Sequence, residues 1–548
     1  MPSLQPVVGV LGFRRAAHLL RRCAYRYQKH QVDHLATMTV QEAITTLLQA
    51  TPLQMEQPVF GPGAVTWINP PAAPGTPLPA EDFVLRRYVM AWWVHEALHD
   101  TGARHKIMFF LHQYLAVTAE SGSSAQFFDY LSLLRWGIDQ SFRVLVAKVV
   151  TDNCMLNYIN NNLNFVNNPN ENFAREFLEL HTIGKGDIAG PGDYSTYTET
   201  DIVQAARVLT GFGNAQRHLN TDPETGIPAG KAYPQSHDFQ PKTFSARFNG
   251  MVIQPPSNDA AGMRAELEAF VDMIFAQEAT ARNICRRLYR YYVKSPISEA
   301  VESDIIGPLA QTFTAQQFQL IPVLEQLWAS QHFFDEDDDN SSDEAIGALI
   351  KSPLELTLQA LSFFEVPIPH PVTDNDTHYN TFYNSGVLER MLARTGMELF
   401  YPPDVAGYPP YFQEPVFQRY FFNSASIVGR YKLPQILLTG THAWAPGPDQ
   451  PLGTKLDLPA WLLNSGNISD PSDATVLVSE LLQYLFPEAP DEARRHYFLD
   501  EIFLNGLPLA DWTIEWSNYA VTGDDSEVKI PLSRLLNAIM YAPEYQIG

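Results

Sequence analysis

An all-α fold is what this sequence predicts: a multi-helix globular chain with long Pro-rich loops and at most a small β hairpin. Three observations carry that expectation. Apolar side chains recur every three to four residues through most of the chain, the period of a helix with one buried face. Strand-like alternation is short and rare, and residues 247–254 are the best candidate for a hairpin element. Capping residues and glycines punctuate the periodic stretches where helices start and stop.

The first helix is expected over 13–28, where Ala16, Leu19, Leu20 and Cys23 share a face behind Arg14, Arg21 and Arg22. Helices follow over 39–49, over 81–98 (anchored by Trp92 and Trp93), and over 104–117 and 124–150. The stretch 169–183 starts strongly: Asn168 can cap, Pro169 suits the first helical position, and Glu171 can return a hydrogen bond to the cap. Gly184 is a natural stop. Thr198 to Asp201 is a capping start for 198–210. Further helices are expected over 260–277, 279–293, 315–330, 352–365, 385–396, 473–486, 490–503 and 531–541.

A chain of 548 residues exceeds what one core usually organises. The expected division is an N-terminal helical region (1–215), an irregular connection (216–260) and a C-terminal helical region (261–548) packed as one unit with the first. Residues 53–80 are rich in Pro and Gly and read as an ordered excursion, and 401–411 and 440–452 are Pro-rich as well.

The formal net charge is −24, from 61 acidic and 37 basic side chains. Such a surface repels phosphate backbones, so nucleic acid and anionic membranes are poor partners. No stretch reaches the roughly 20 apolar residues that span a bilayer, and no signal peptide is visible, which makes the cytoplasm the default location. Cys23, Cys154 and Cys285 are too far apart for a thiolate zinc knuckle and are read as buried apolar thiols. The acidic stretch 335–344 lacks the glycine and terminal glutamate of a helix-loop-helix calcium site and reads as a solvated loop.

Two constellations suggest chemistry. On the 169–183 helix, about 100° per residue puts Phe173, Phe177 and Leu180 on one side and Asn172, Glu176 and Glu179 on another. His181 falls on the Phe177 side, so it and Glu176 cannot ligate one ion together. Two carboxylates sharing a face need a metal, an arginine or a shared proton between them. Arg207, set in the apolar series of the next helix, is the expected counter-ion for Glu176 or Glu179. Separately, His95-Glu96-Ala97-Leu98-His99 matches H-E-x-x-H on a helix, the spacing of zinc hydrolases. Asp100 follows directly, no third ligand is evident, and a polar face on an amphipathic helix explains the string equally well.

Asn170-Glu171-Asn172-Phe173-Ala174-Arg175-Glu176-Phe177-Leu178-Glu179-Leu180-His181-Thr182-Ile183-Gly184, followed by Tyr197-Thr198-Glu199 and Ala206 to Gly211, closely resembles the signature of the bacterial domain-of-unknown-function family numbered eighteen hundred. The resemblance runs nearly end to end, through Ala17 to Arg22, Lys106 to Leu115 with His112, His237-Asp238 with Lys242, Lys351 to Glu355, Leu399 to Tyr408 and Ala542 to Gln546. Departures are Tyr114 where the family commonly has a second histidine, Asp404 where it has Asn, and Tyr408 where it has Trp. The resemblance implies a mostly helical protein and a sulfatase-like protein as neighbour or partner, and it brings no settled activity.

Two functions are therefore weighed. In the first, the chain is an enzyme, a hydrolase or a metal-dependent one, with a site drawn from His112, Glu176, Glu179, Arg207, His237 and Asp238. A divalent metal on Glu176 and Glu179, completed by His112 or His237, is one form of it; a metal-free general acid and base is the other. Arg207 and Lys242 would then hold an anionic group of the substrate. In the second, the chain is a non-catalytic helical binding or assembly protein, and the same charges are buried pairs that fix helix packing. The aromatics Tyr401, Tyr408, Tyr411, Phe412, Phe417, Tyr420, Phe421 and Phe422 then suit core packing or a carbohydrate or protein surface.

Overall fold

The computed structural model describes residues 2–73, 75–340, 344–442 and 450–548. Helices dominate it, and its strands form only two-stranded antiparallel pairs. The expected helices appear as Gly12–Cys23, Val40–Leu48, Asp82–His99, Arg104–Tyr114, Glu171–Glu179, Glu199–Val208, Ala260–Phe275, Glu278–Tyr292, Leu320–Ala329, Pro353–Phe363, Ala474–Leu485 and Lys529–Tyr541. The stretch 124–150 divides into Ser124–Gly137 and Phe142–Val149, with the Leu145 methyl groups 2.6 Å from where a Cβ on Gly137 would stand. The hairpin lies slightly earlier than expected, Lys242–Thr243 pairing with Val252–Ile253.

Three helical stretches are wound with the wider i→i+5 pattern: Glu302–Ile306, Thr377–Leu392 and Tyr497–Phe503. The second replaces the helix expected over 385–396. Among the described residues, no helix is long and apolar enough to cross a membrane.

The buried apolar side chains form a cluster that runs from Val7 to Tyr545. It is stitched by buried cations that donate to backbone carbonyls. Arg21 reaches the carbonyls of Tyr484 (2.8 Å) and Phe486 (2.6 Å), and Arg22 those of Val293 (3.1 Å) and Ala345 (2.7 Å). Arg430 donates to the Phe421 carbonyl, the Lys351 carbonyl and Gln546 Oε1 at 2.9, 2.6 and 2.9 Å. Residues 546–548 return as a short extended strip against 347–351. The aromatics of 401–422 are mostly packing residues: Tyr408, Phe417 and Phe421 are buried, while Tyr420 stays exposed.

The three cysteines are buried and unpaired with one another, as their spacing suggests. Of the acidic stretch, residues 341–343 lie outside the described residues. Asp335 accepts from the backbone of Ala345 and Ile346, Glu336 pairs with Arg15, and Asp337 with His332. Of the Pro-rich stretch 440–452, residues 443–449 lie outside the described residues.

Arg430 leaves two buried acceptors, the Lys351 carbonyl and Gln546 Oε1, without a donor when it is removed, while the Phe421 carbonyl keeps the Ser426 hydroxyl. Arg430→Ala is expected to lose about 3 kcal/mol or more of stability, since each orphaned buried acceptor costs about 1–3 kcal/mol. Urea denaturation measures it, and a loss under about 1 kcal/mol would show that the carbonyls find water instead.

Candidate functional site

The helix Glu171–Glu179 starts two residues later than the sequence suggests. Asn168 is taken up in a turn on Phe165, and Asn170 caps instead, accepting from Asn172 N at 3.0 Å. Asn170 is itself held by Asn164 Oδ1 at 2.9 Å. The helix ends before Gly184, whose positive φ carries the chain away while its N–H returns to the Leu178 carbonyl.

Arg175 forms a forked pair with Glu199 (2.8 and 2.7 Å), joining the two helices of the signature. Arg207, expected to answer Glu176 or Glu179, does neither. It pairs with Asp238 at 2.7 Å and also donates to Gln204 Oε1 and the Pro241 carbonyl. The physical reason is position: Arg207 sits in the last turn of Glu199–Val208, beside the loop that carries Asp238, whereas the start of that helix faces Arg175.

That loop delivers a closed charge network. His237 Nε2 lies 2.8 Å from Glu266 Oε2, and its Nδ1 lies 2.7 Å from the Thr210 carbonyl. Both neighbours are hydrogen-bond acceptors. Lys242 pairs with the other oxygen of Glu266 at 2.6 Å and with the Asp238 carbonyl. The side chains of His237, Lys242 and Glu266 are wholly inaccessible to solvent. Burial alone would push the Asp238 carboxyl up, but Arg207 and the Gln240 N–H hold it below its ordinary value. Gly211 closes the network at the helix end. Its φ of +77°, with the Tyr233 carbonyl and the His237 backbone about 3 Å from any added Cβ, admits only glycine.

His112 is a core residue. Its ring packs against Phe109, Phe400 and Tyr130, and Nδ1 donates to the Tyr130 hydroxyl at 3.2 Å, which passes its own proton to the Leu115 carbonyl. Nε2 is buried without a partner among the described residues, and burial lowers the ring to about 3. It is therefore a neutral packing group. Glu176, Glu179 and His112, where the sequence expects a metal, are not grouped together among the described residues. Among the described residues, no three His, Cys, Asp or Glu side chains are grouped to hold an ion.

The H-E-x-x-H string is spent on packing as well. His95 bonds the Tyr383 hydroxyl at 2.9 Å, and His99 bonds the His95 carbonyl. Glu96 accepts from the N–H groups of Gln54 and Met55 at 2.8 and 2.9 Å, anchoring the Pro-rich excursion. Burial first, then the neighbouring His99, His378 and His370, pushes His95 far below its ordinary value.

Glu176 and Glu179 remain, both half-buried. Glu179 receives the Tyr197 hydroxyl at 3.2 Å and Lys185 at 3.5 Å. No side chain among the described residues bonds or pairs with Glu176. Burial, then Glu179 and Asp404, raises its carboxyl above the ordinary value. Tyr158, near Asp404 and Glu176, is pushed up to about 12 by burial and by those charges. Thus Asp404 joins the carboxylate pair from a loop far along the chain.

His181, a signature residue that the sequence left without a role, lies near Arg287. His181 is buried and lowered to about 3 by burial, with Arg287 adding to the shift. Arg287 stacks on Tyr114 with its guanidinium carbon 4.6 Å from the ring centre. Lys351 is a second surprise: burial, then Arg21, lowers its ammonium to about 7 with Tyr545's ring 4.3 Å away.

The fold and these networks define a mainly α-helical protein whose signature residues are mostly interior ties. The chain belongs to the family described as protein of unknown function (DUF1800), whose model matches residues 18–547. No curated protein and no solved structure matches it.

Lys242→Met strips Glu266 of one of two partners inside a closed site, and a loss of about 3–5 kcal/mol is expected. The double variant Lys242→Met, Glu266→Leu removes the stranded charge and is expected to recover part of that loss. A double-mutant cycle in denaturant reads both, and simple additivity would show that the pair is not coupled.

Proposed function

We infer that this chain is a non-catalytic helical binding and assembly protein, in which the polar residues of the signature act as scaffold. The observation that supports the reading is closure. His112 is packed among aromatics, and His237, Asp238 and Arg207 are tied to Glu266, Lys242, Thr210 and Gln204. A catalytic site needs groups that converge on an open space where a reacting atom can sit. None of these residues lines the described cavities of about 580 and 570 Å³. A sulfatase-like protein is the partner that the family resemblance implies for such a scaffold.

One observation favours a second reading, an acid–base enzyme. Glu176 and Glu179 share a face but not an environment. Glu179 bonds a phenol and pairs with a lysine, whereas no side chain among the described residues bonds Glu176. The Glu176 carboxyl is raised by burial, Glu179 and Asp404 against the opposing pull of Arg175 and Lys185. Environments that push two carboxyl groups apart are how one fold obtains an acid and a base.

The test is a panel of chromogenic ester, glycoside, phosphoester and sulfate-ester substrates with wild type and Glu176→Gln. No turnover dependent on Glu176 is expected. Turnover abolished in the variant, with Tm held within a few degrees, would overturn the binding reading in favour of the enzyme.

The same variant has a stability signature. A carboxyl raised in the folded state keeps its proton at a pH where the unfolded chain has lost it. Its contribution to stability therefore falls as pH rises from the ordinary carboxylate range through the raised value. Glu176→Gln cannot ionise, so its Tm should match wild type near pH 4 or below and exceed it at about pH 7. A variant less stable than wild type at both ends would mean that an ionised Glu176 is a structural tie.

A further inference from the structure

The helix Leu509–Thr522 turns an aromatic side inward. Trp512 packs on Phe503, Trp516 on Trp512 and Tyr519 on Trp516, with ring centres 4.6, 5.6 and 5.4 Å apart. Trp512 Nε1 donates to the Pro471 carbonyl at 2.9 Å, and the Thr513 hydroxyl to the Ser472 carbonyl at 3.0 Å. These ties fix which way the helix faces, and Gly523, at a φ of +75°, ends it.

At about 100° per residue, Ala510, Ile514, Ser517 and Val521 fall on the opposite side of the helix. All four are exposed, Ile514 by 57% and Val521 by 86%, and Leu507 and Leu509 are exposed just before them. Single apolar residues on a surface are ordinary, but these keep a register. Their spacing of four, three and four residues is that of a coiled-coil seam, where one helix receives the side chains of another. The β-branched Ile514 and Val521 lie one heptad apart, and so do the small Ala510 and Ser517, which let a second backbone come close. The seam is about 16 Å long, three turns of helix.

Charge around the seam has one sign. Residues 500–528 include seven Asp and Glu side chains and no Lys, Arg or His. Asp511 and Glu515 lie along one flank of the seam, and neither pairs with a cation among the described residues. Asp524 and Glu527 follow the last turn, where the helix dipole is already negative. The cations that come next in the chain are spent: Lys529 pairs with Asp525, and Arg534 donates to the carbonyls of Ile502 and Phe503.

We propose that the outward face of Leu509–Thr522 docks an amphipathic helix of a partner protein, one whose apolar stripe is flanked by Lys and Arg. The register of the seam selects a helix, and the unpaired carboxylates beside it select a basic one. A second copy of this chain would set the same carboxylates against each other, and an anionic bilayer would be repelled by them. The proposal rests on the binding reading and gives it a surface and a class of partner.

The probe is a labelled peptide of leucine and lysine, leucine at the seam positions, as long as the 14-residue helix it is to meet. It is titrated into the full chain by fluorescence anisotropy, while isoleucine methyl NMR locates the contact. Binding at about 100 μM or tighter is expected, with a shift of the Ile514 methyl signal. Ile514→Gln with Val521→Gln, a change to good helix formers on an exposed face, should weaken it about tenfold or more at unchanged Tm. Asp511→Asn with Glu515→Gln, or added salt, should weaken it by a smaller factor. No binding, equal binding of a scrambled peptide of the same composition, or undiminished binding in the Ile514 and Val521 variant overturns the docking face. Concentration-dependent dimers of the chain, dissolved by that variant, would make the occupant a second copy and overturn the partner. None of these outcomes moves the wider binding reading, whose own failure shows as turnover dependent on Glu176.

Discussion

The carboxylate of Glu266 has no access to water, and the organisation around it follows from that one fact. Removing a charge from water costs several kcal/mol even after relaxation, so it is tolerated only when partners are already in place. Here the partners are His237 and Lys242, both on the polar connection between the helices Glu199–Val208 and Ala260–Phe275. That connection is poor in apolar residues and could not be ordered by hydrophobic burial alone. Its fixed points are the ties to Glu266, the Arg207 pair at Asp238, and the close seat that Gly211 gives to the Tyr233–His237 backbone.

Much of the helical frame was legible because its signals are local. Thr198 caps and Asp201 reciprocates, as their three-residue spacing implies, and Phe173 and Phe177 bury while Glu176 and Glu179 stay half-buried. Less legible were elements that break a local rule. The helix Ser426–Thr439 holds Pro434 in its interior, and Asn153–Tyr158 is too short to show a period. The stretch Thr377–Leu392 winds more widely than 3.6 residues per turn, so its periodicity points to the wrong bounds.

The site was harder to read for a different reason. Charge pairing is set by which loop lands beside which helix end, and sequence distance does not encode that. Arg207 was placed against the wrong carboxylates because its true partner lies 31 residues onward on an irregular loop. The histidine in the aromatic helix looked like a ligand because nothing local shows that the Tyr130 hydroxyl and Phe400 would close over it.

The buried guanidinium groups of Arg21 and Arg22 bear on how this protein is made. Arg21 takes its carbonyl acceptors from residues 463 and 465 positions further along the chain. At a ribosomal pace of about 5–20 residues per second, those acceptors emerge roughly half a minute to a minute and a half after the arginine itself. Throughout that interval the amphipathic face of Gly12–Cys23 has left the exit tunnel without the surface it will be sealed against. The nascent chain must therefore carry that face without its final partner until the stretch around Tyr484 and Phe486 is made.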